Sequence, residues 1–263
     1  MKKNVMLKIA SVLMVAVLLT TCAISSTFAK YVTATETMDS NLGKVAKWGV
    51  EISAGATDKE LFAKTYAGTN DKTAVASGTT NQFAVVAPGT TGSNSEFALT
   101  ISGQPEVACA VTLGGSVNLS GWEVPVNADS TDTLKFYCPI VFSVNGEAVD
   151  TSACTTTAEY SKAVMDKIAE KLFGTATYSY NDGTKEYVAK YEVNHNFGTA
   201  TAGTKVEISW AWAFPTTENA ETDRMDTYLG NQAALDNAAT IEISYNLGVE
   251  QIAEGVDAPA SNG

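Results

Sequence analysis

Apolar and polar residues alternate along most of this chain, which is the period-two pattern of β-strands that bury one face. In the segment 241–249 every second residue is apolar, and mostly polar residues lie between them. The same alternation recurs at 48–52, 97–101, 107–113, 134–144, 187–193 and 206–214. Antiparallel sheets can bury one face and leave the other in water, so the pattern predicts a mainly β protein, an antiparallel β-sandwich.

Turn signals separate several of these strands. Asn145-Gly146 predicts a two-residue hairpin, because both central positions of a type I′ turn need positive φ. The segment 181–183, Asn-Asp-Gly, predicts a second hairpin. Two sheets joined by such turns would pack face to face around one core.

One or two helices are predicted to be inserted among the strands. The segment 155–173 carries a single apolar stripe, with Thr156 or Thr157 as its N-cap and Gly174 just past its end. A shorter helix is predicted over 226–237. Because no linker divides the chain, we expect one β-sandwich domain over 44–252, followed by a flexible polar tail, 253–263.

The first 29 residues have the pattern of a secretory signal peptide. Lysines near the start precede the apolar run 9–19, and small residues lead up to Ala29. We therefore predict cleavage between Ala29 and Lys30, and an extracellular protein that meets the membrane only through its signal. Two alternatives remain open. One is an uncleaved anchor, although the run 9–24 is short for the ~20 residues that span a bilayer. The other is a lipoprotein modified at Cys22.

The charge balance narrows the range of partners. The 263 residues contain 17 Lys and Arg against 29 Asp and Glu, a net charge of −12. Removing residues 1–29 takes away three lysines and no acid, which leaves −15. Such a charge favours solubility after export and argues against binding nucleic acid, because no basic stripe can neutralise phosphates.

The segment that would follow cleavage is itself β-prone. In this N-terminal leader, residues 30–43, side chains alternate over the stretch Tyr31, Val32, Thr33, Ala34 and Thr35. A strand without an obvious partner can add to the sheet edge of another molecule, and head-to-tail contacts of that kind generate filaments. The leader is thus a candidate assembly strand. The alternative is a flexible leader or one that pairs within its own domain.

Residues for catalysis or for a cofactor are scarce. A single histidine, His195, excludes zinc sites that need two imidazoles, and neither a nucleophile elbow nor a phosphate-binding loop is present. We therefore predict no catalytic residues, no cofactor and no enzyme activity. The acid pair Asp223 and Asp226 is a weak candidate for Ca²⁺, with solvated acids or helix caps as the alternative.

Cysteines and tryptophans admit structural or functional roles. Cys109, Cys138 and Cys154 remain after cleavage and are predicted to be buried thiols, with a Cys138–Cys154 disulfide as a weak alternative that needs a bulge. Of the tryptophans, Trp210 and Trp212 fit a core strand, whereas Trp122 is a candidate for stacking on a sugar.

Several blocks of sequence resemble a known family. These are residues 27–33, Thr-Phe-Ala-Lys-Tyr-Val-Thr, and the blocks 43–50, 87–92, 102–107, 208–215 and 226–230. Together they resemble the TasA/camelysin-like secreted proteins, whose precursors are cut by a signal peptidase of the SipW type. The similarity covers most of the chain in diffuse blocks.

The resemblance implies a jelly-roll-like sandwich and a structural function. It implies an extracellular matrix protein of biofilms that polymerises head to tail with itself through its N-terminal strand and meets other matrix proteins. It also implies an alternative, a camelysin-type metallopeptidase, for which the usual zinc ligands are missing from this sequence. A second alternative, from the aromatic residues, is a carbohydrate- or host-binding adhesin.

Overall fold

The computed structural model describes residues 46–54, 61–63, 65–66, 75–76, 84–93, 98–127, 130–214 and 219–253. The signal peptide 1–29, the leader 30–43 and the tail from residue 254 lie outside these described residues. The predictions for cleavage at Ala29 and Lys30, and for the assembly strand, therefore remain predictions.

The described residues are mainly β, as the alternation predicts. They form fifteen strands: β1 (Val50–Ala54), β2 (Thr65–Tyr66), β3 (Val75–Ala76), β4 (Thr91–Ser93), β5 (Leu99–Gly103), β6 (Cys109–Ser120), β7 (Glu123–Asn127), β8 (Ser130–Phe136), β9 (Val141–Val144), β10 (Glu147–Ala148), β11 (Tyr178–Asn181), β12 (Glu186–Tyr191), β13 (Thr204–Val206), β14 (Ile208–Ala211) and β15 (Thr240–Gln251). Two helices join them, α1 (Thr157–Phe173) and α2 (Ala220–Ala234).

The strands build two antiparallel layers. In the first layer, β13 and β14 are one run of chain interrupted only at Glu207, and they link the sheets β1-β5-β13 and β10-β9-β14-β4. The second layer has the order β11-β12-β6-β15. Separate two-stranded ribbons are formed by β2 with β3 and by β7 with β8.

The core lies between the two layers. The first layer contributes fully buried side chains such as Leu99, Phe142 and Trp210, and the second contributes Val111 and Leu113. Side chains from both layers belong to one continuous apolar cluster. The alternation in sequence thus translates directly into one buried face on each sheet.

Helix α1 contacts both layers, through β6 in the second and β9 and β13 in the first. Val164, Ile168 and Leu172 form its buried stripe, as predicted. At residue 117, where β12 no longer covers β6, the Ser161 hydroxyl oxygen accepts the Val117 N–H at 2.9 Å. A helix side chain therefore replaces a missing strand at this part of the sheet.

The hairpin predictions are confirmed. Asn145 and Gly146 both have positive φ, and Glu147 pairs with Val144 across the turn. Asn181 pairs with Glu186 around the second turn. The positive φ of the first turn falls on the predicted residues, whereas in the second turn it falls on Lys185 and not on the Asn-Asp-Gly segment.

The predicted bounds of one strand and one helix are wrong. The predicted strand 134–144 is broken between β8 and β9 around Pro139, because proline cannot donate to a strand ladder. Leu134 consequently lies 46% exposed and not on a buried face. The second helix begins six residues before the predicted start, where Asn219 accepts hydrogen bonds from the backbone of Glu221 and Thr222.

The capping box of α1 provides a test of local stability. The Thr156 hydroxyl accepts the Glu159 N–H at 3.2 Å, and the Glu159 carboxylate accepts the Thr156 N–H. We expect Thr156→Ala to lower the free energy of unfolding by about 1 kcal/mol, measured by urea titration. Thr157→Ala, at the next position, is the control, and equal losses for both would contradict the capping assignment.

Candidate functional site

The predicted leader joins the folded domain at a defined place. The Glu106 N–H donates to the Lys47 carbonyl, and the Lys47 N–H donates to the Glu106 carboxylate, each at 2.8 Å. Three residues later β6 begins, and the Ile252 N–H donates to the Ala108 carbonyl at 3.0 Å. The first described residues, Ala46 and Lys47, therefore lie at the end of the sandwich where β15 finishes.

The outer strands of the two layers differ in length and in cover. Strand β10 has two residues, and its Glu147 forms ion pairs with Lys167 and Lys171 of α1. Strand β11 has four residues, whereas β1 has five and β15 twelve. In the described part of the chain β15 is thus the longest edge strand, and long edges are where sheets recruit further strands.

Burial along β15 is incomplete. Its inward residues Ile241, Ile243, Leu247 and Val249 touch the core but stay half-buried. On the neighbouring strand β6, Val111 and Leu113 are fully buried. Strand β1 lies beside β15 and contacts it, yet among the described residues β1 pairs only with β5. The two layers therefore meet here in a seam without a backbone ladder.

The two acids proposed for Ca²⁺ lie on α2, where they are one turn apart and take different roles. Asp223 is exposed, whereas Asp226 is half-buried and accepts a hydrogen bond from the Tyr137 hydroxyl at 2.7 Å. No group of three or more His, Cys, Asp or Glu side chains is gathered in the described residues. Asp226 thus fastens α2 to the segment after β8.

Burial governs the ionisation of Asp226. It raises the pKa of this carboxyl, while the hydrogen bond from Tyr137 and the nearby Trp212 indole lower it. The buried Trp212 Nε1 lies close to the carboxyl but has no acceptor in bonding geometry. The Tyr137 hydroxyl therefore supplies the well-aligned hydrogen bond to the Asp226 carboxylate.

Cys109, Cys138 and Cys154 are free thiols in the structure, so the alternative of a Cys138–Cys154 disulfide is not formed there. Cys109 is fully buried, as predicted, and burial raises its pKa to about 11. Burial likewise raises the pKa of Cys138 to about 12, and that of Cys154 above its usual value. Because the thiolate is the reactive form, these pKa values describe structural thiols and not nucleophiles.

The aromatic residues considered for chemistry are mostly structural. Trp122 is 1% exposed and donates its indole N–H to the Thr240 carbonyl at 2.8 Å, so the prediction that it stacks on a sugar is wrong. Trp210 and Trp212 are buried, as predicted.

The single histidine is part of an aromatic cluster. The His195 ring lies 4.4 Å from the Tyr191 ring and 4.6 Å from the Phe197 ring, centre to centre. Burial against these rings lowers the pKa of His195. His195 is nevertheless exposed, and no group of three or more potential metal ligands in the described residues includes it.

Comparison of the chain with protein-family models, curated proteins and solved structures finds no match. In the described part of the chain, neither helix is long and apolar enough to cross a membrane. The function is accordingly argued from the residues of the chain itself.

Tyr137→Phe tests the Asp226 contact. Loss of the hydroxyl leaves a half-buried carboxylate without its donor, so we expect the pKa of Asp226 to rise further. The free energy of unfolding should fall by about 1–3 kcal/mol at pH 7. The folded-state pKa is raised, so protonation favours folding, and the loss should shrink as the pH falls through that pKa.

Carboxyl NMR titration and urea unfolding at pH 3 and 7 measure both effects. Tyr228→Phe, a change of the same kind on α2, the helix that carries Asp226, is the control. A loss of stability for Tyr137→Phe that does not depend on pH would contradict the role of Asp226.

His195 offers a second pH test. Its NMR titration in the folded protein should give a pKa below 6.5, and the same signal in urea should return to about 6.5. Since the folded-state pKa is lowered, the stability that His195 contributes is present above 6.5 and is lost as the pH falls through the folded value. Identical pKa values in both states would contradict the packing against Tyr191 and Phe197.

Proposed function

We propose that this protein is a secreted structural protein, a subunit of extracellular matrix fibres of the TasA/camelysin-like kind. Cleavage after Ala29 by a signal peptidase of the SipW type would free the leader. Residues Tyr31 to Thr35 would then add as a strand to a neighbouring copy. The polymer would scaffold a biofilm matrix together with other matrix proteins.

The observation that carries this proposal is the combination of a β-prone leader with an antiparallel domain that ends in a long edge strand. A domain of two antiparallel layers offers main-chain donors and acceptors at its edges. A leader with alternating side chains is the kind of segment that adds to such an edge. Each added main-chain hydrogen bond contributes a net ~1 kcal/mol, so the affinity rises with the length of the added strand.

Charge distribution also supports assembly through the leader. The leader, residues 30–43, contains Lys30, Glu36 and Asp39 and carries −1, whereas the rest of the mature chain carries −14. Contact between two bodies of that charge is opposed by repulsion. A nearly neutral connecting segment allows copies to join with little body-to-body contact.

The two alternative functions, a metallopeptidase and an adhesin, receive less support from the described residues. A metallopeptidase needs a group of ligands, and no three candidate ligands come together there. The adhesin hypothesis relied on Trp122, which is buried. A structural function is the one that needs neither a metal nor an exposed tryptophan.

The leader can be tested by deletion. We expect purified residues 30–263 to polymerise and residues 41–263 to remain monomeric, because the deletion removes the assembly strand. Sedimentation and electron microscopy measure the polymer. A second comparison replaces Thr33 and Thr35 by proline in the full mature chain, which removes strand N–H donors while the length is kept.

Equal polymerisation with and without residues 30–40 would exclude strand addition by the leader. Polymerisation by neither protein would exclude the fibre hypothesis as a whole. N-terminal sequencing of the protein recovered from culture medium supplies the control, since Lys30 as the first residue establishes that the leader is free.

A further inference from the structure

We propose that Asn145 is a covalent modification site, where conversion of the asparagine to aspartate or isoaspartate traps an opened turn between β9 and β10. In the folded domain the Asn145 side chain joins the two sheets of the first layer, and only its amide form can do so. Modification therefore makes a reversible opening of this turn permanent. The site acts in this way in a single molecule as well as in a fibre.

The residue after Asn145 makes it chemically reactive. Asn145 and Asn262 are the asparagines of this chain that precede a glycine. Glycine has no side chain to shield its backbone nitrogen from the side-chain carbonyl carbon of the asparagine before it. Asn145 and Gly146 are both exposed, and a Cβ on Gly146 would meet no atom within 4 Å. Both water and the attacking nitrogen therefore have access to the Asn145 amide once it is free to move.

In the folded domain the Asn145 side chain takes the place of a main-chain group. Strand β14 pairs with β9 in a register that would place Glu207 opposite Asn145. The Asn145 N–H donates to the Glu207 carbonyl at 2.8 Å, as in a strand ladder. The chain turns at Asn145, where φ is 50°, and the Glu207 N–H donates at 2.7 Å to the side-chain Oδ1. The amide thus extends the ladder by one residue.

The same amide also donates a hydrogen bond. Its Nδ2 lies 3.2 Å from the Lys205 carbonyl oxygen, which accepts the bond. Lys205 belongs to β13, which pairs with β5 in the other sheet of the first layer. The Asn145 side chain therefore spans the interruption at Glu207 between β13 and β14. A donor and an acceptor are needed together, and a carboxamide supplies both.

The conversion is a substitution followed by a hydrolysis. The Gly146 backbone nitrogen attacks the Asn145 Cγ and forms a cyclic imide, while the bond from Cγ to Nδ2 breaks and ammonia leaves with the proton from Gly146. Water then adds to one of the two imide carbonyls and opens the ring. Opening at one carbonyl gives aspartate, and opening at the other gives isoaspartate. Water is the co-reactant, and nothing is oxidised or reduced.

The hydrogen bonds of the turn oppose this reaction in the folded domain. The amide is held on Glu207 and Lys205, so turning its Cγ towards the Gly146 nitrogen breaks both side-chain bonds. Pairing of Glu147 with Val144 holds the turn from the other side. The reaction therefore proceeds from an opened turn, and its rate follows the population of that opened form.

Neither product can restore the link. Aspartate at position 145 keeps an acceptor for the Glu207 N–H but presents a second acceptor to the Lys205 carbonyl. The Lys205 ammonium already pairs with the Glu207 carboxylate at 2.6 Å, so the new negative charge meets a balanced pair. Isoaspartate adds a carbon atom to the main chain of a two-residue turn, which shifts the strand register that the turn sets.

The rate of conversion tests the restraint by the fold. The purified protein and a synthetic peptide of residues 141–149 are kept at neutral pH, with and without urea. Mass spectrometry of the digested protein measures aspartate and isoaspartate at position 145. Without urea we expect the protein to react at least about tenfold more slowly than the peptide, which corresponds to an opening free energy of about 1.4 kcal/mol. In urea the two rates should agree.

Asn145→Asp reproduces one of the products directly. Asn181→Asp is the matched control, because Asn181 lies in the second hairpin turn and its Oδ1 only accepts, from the N–H groups of Gly183 and Thr184. We expect Asn145→Asp to lower the equilibrium constant for folding about tenfold and Asn181→Asp to change it less than about twofold. Urea titration measures both. Hydrogen exchange in Asn145→Asp should be faster at residues 144–149 and 204–208 and unchanged at 178–191.

Several results would overturn the proposal. Equal rates for the folded protein and the peptide would show that the fold does not restrain Asn145. No conversion after about a hundred half-lives of the peptide would show that the turn does not open to the reactive form. Equal losses of stability for the two variants, or unchanged exchange at 204–208 in Asn145→Asp, would show that the bond to Lys205 does not join the sheets.

Discussion

The structure depends on one requirement, that each strand in a sheet needs hydrogen-bond partners on both of its sides. Inside the two layers neighbouring strands satisfy it. Beyond Gly114, where the pairing of β6 with β12 stops, the Ser161 hydroxyl of α1 accepts a hydrogen bond from β6, and at β10 two lysines of α1 form ion pairs with Glu147. Only β15 combines a long edge with half-buried apolar side chains in the described residues. The remaining partner has to come from water or from another segment of chain.

This requirement connects the fold to the proposed function. The domain gathers its fully buried residues around β5, β6, β9 and β14, and burial declines towards the seam between β1 and β15. The described residues begin beside this seam, where two hydrogen bonds join Lys47 and Glu106. In the proposed fibre, a leader of −1 and a body of −14 favour contact through a strand over contact between bodies.

The sequence predicts only some features of the candidate site. The alternation at 241–249 indicated β15, and the alternation at 31–35 indicated a strand in the leader, because a period of two is visible without coordinates. That β15 is an edge strand was not predictable, since edge and central strands share the same alternation. Trp122 could likewise not be assigned from sequence, because a tryptophan can either stack on a sugar or pack in a core. Its packing against Trp212 and its hydrogen bond to the Thr240 carbonyl place it in the core.

The sequence by itself determined the strand class, the two hairpin turns and the capped helix α1, because these follow from periodicity and from local backbone preferences. It also determined the charge and the scarcity of metal ligands. The tertiary structure alone decided that the strand predicted over 134–144 breaks around Pro139, that Asp226 is held by Tyr137, and that β15 is an edge strand among the described residues. Each of these depends on which segments become neighbours, and contacts between residues distant in sequence leave no signal in a local pattern.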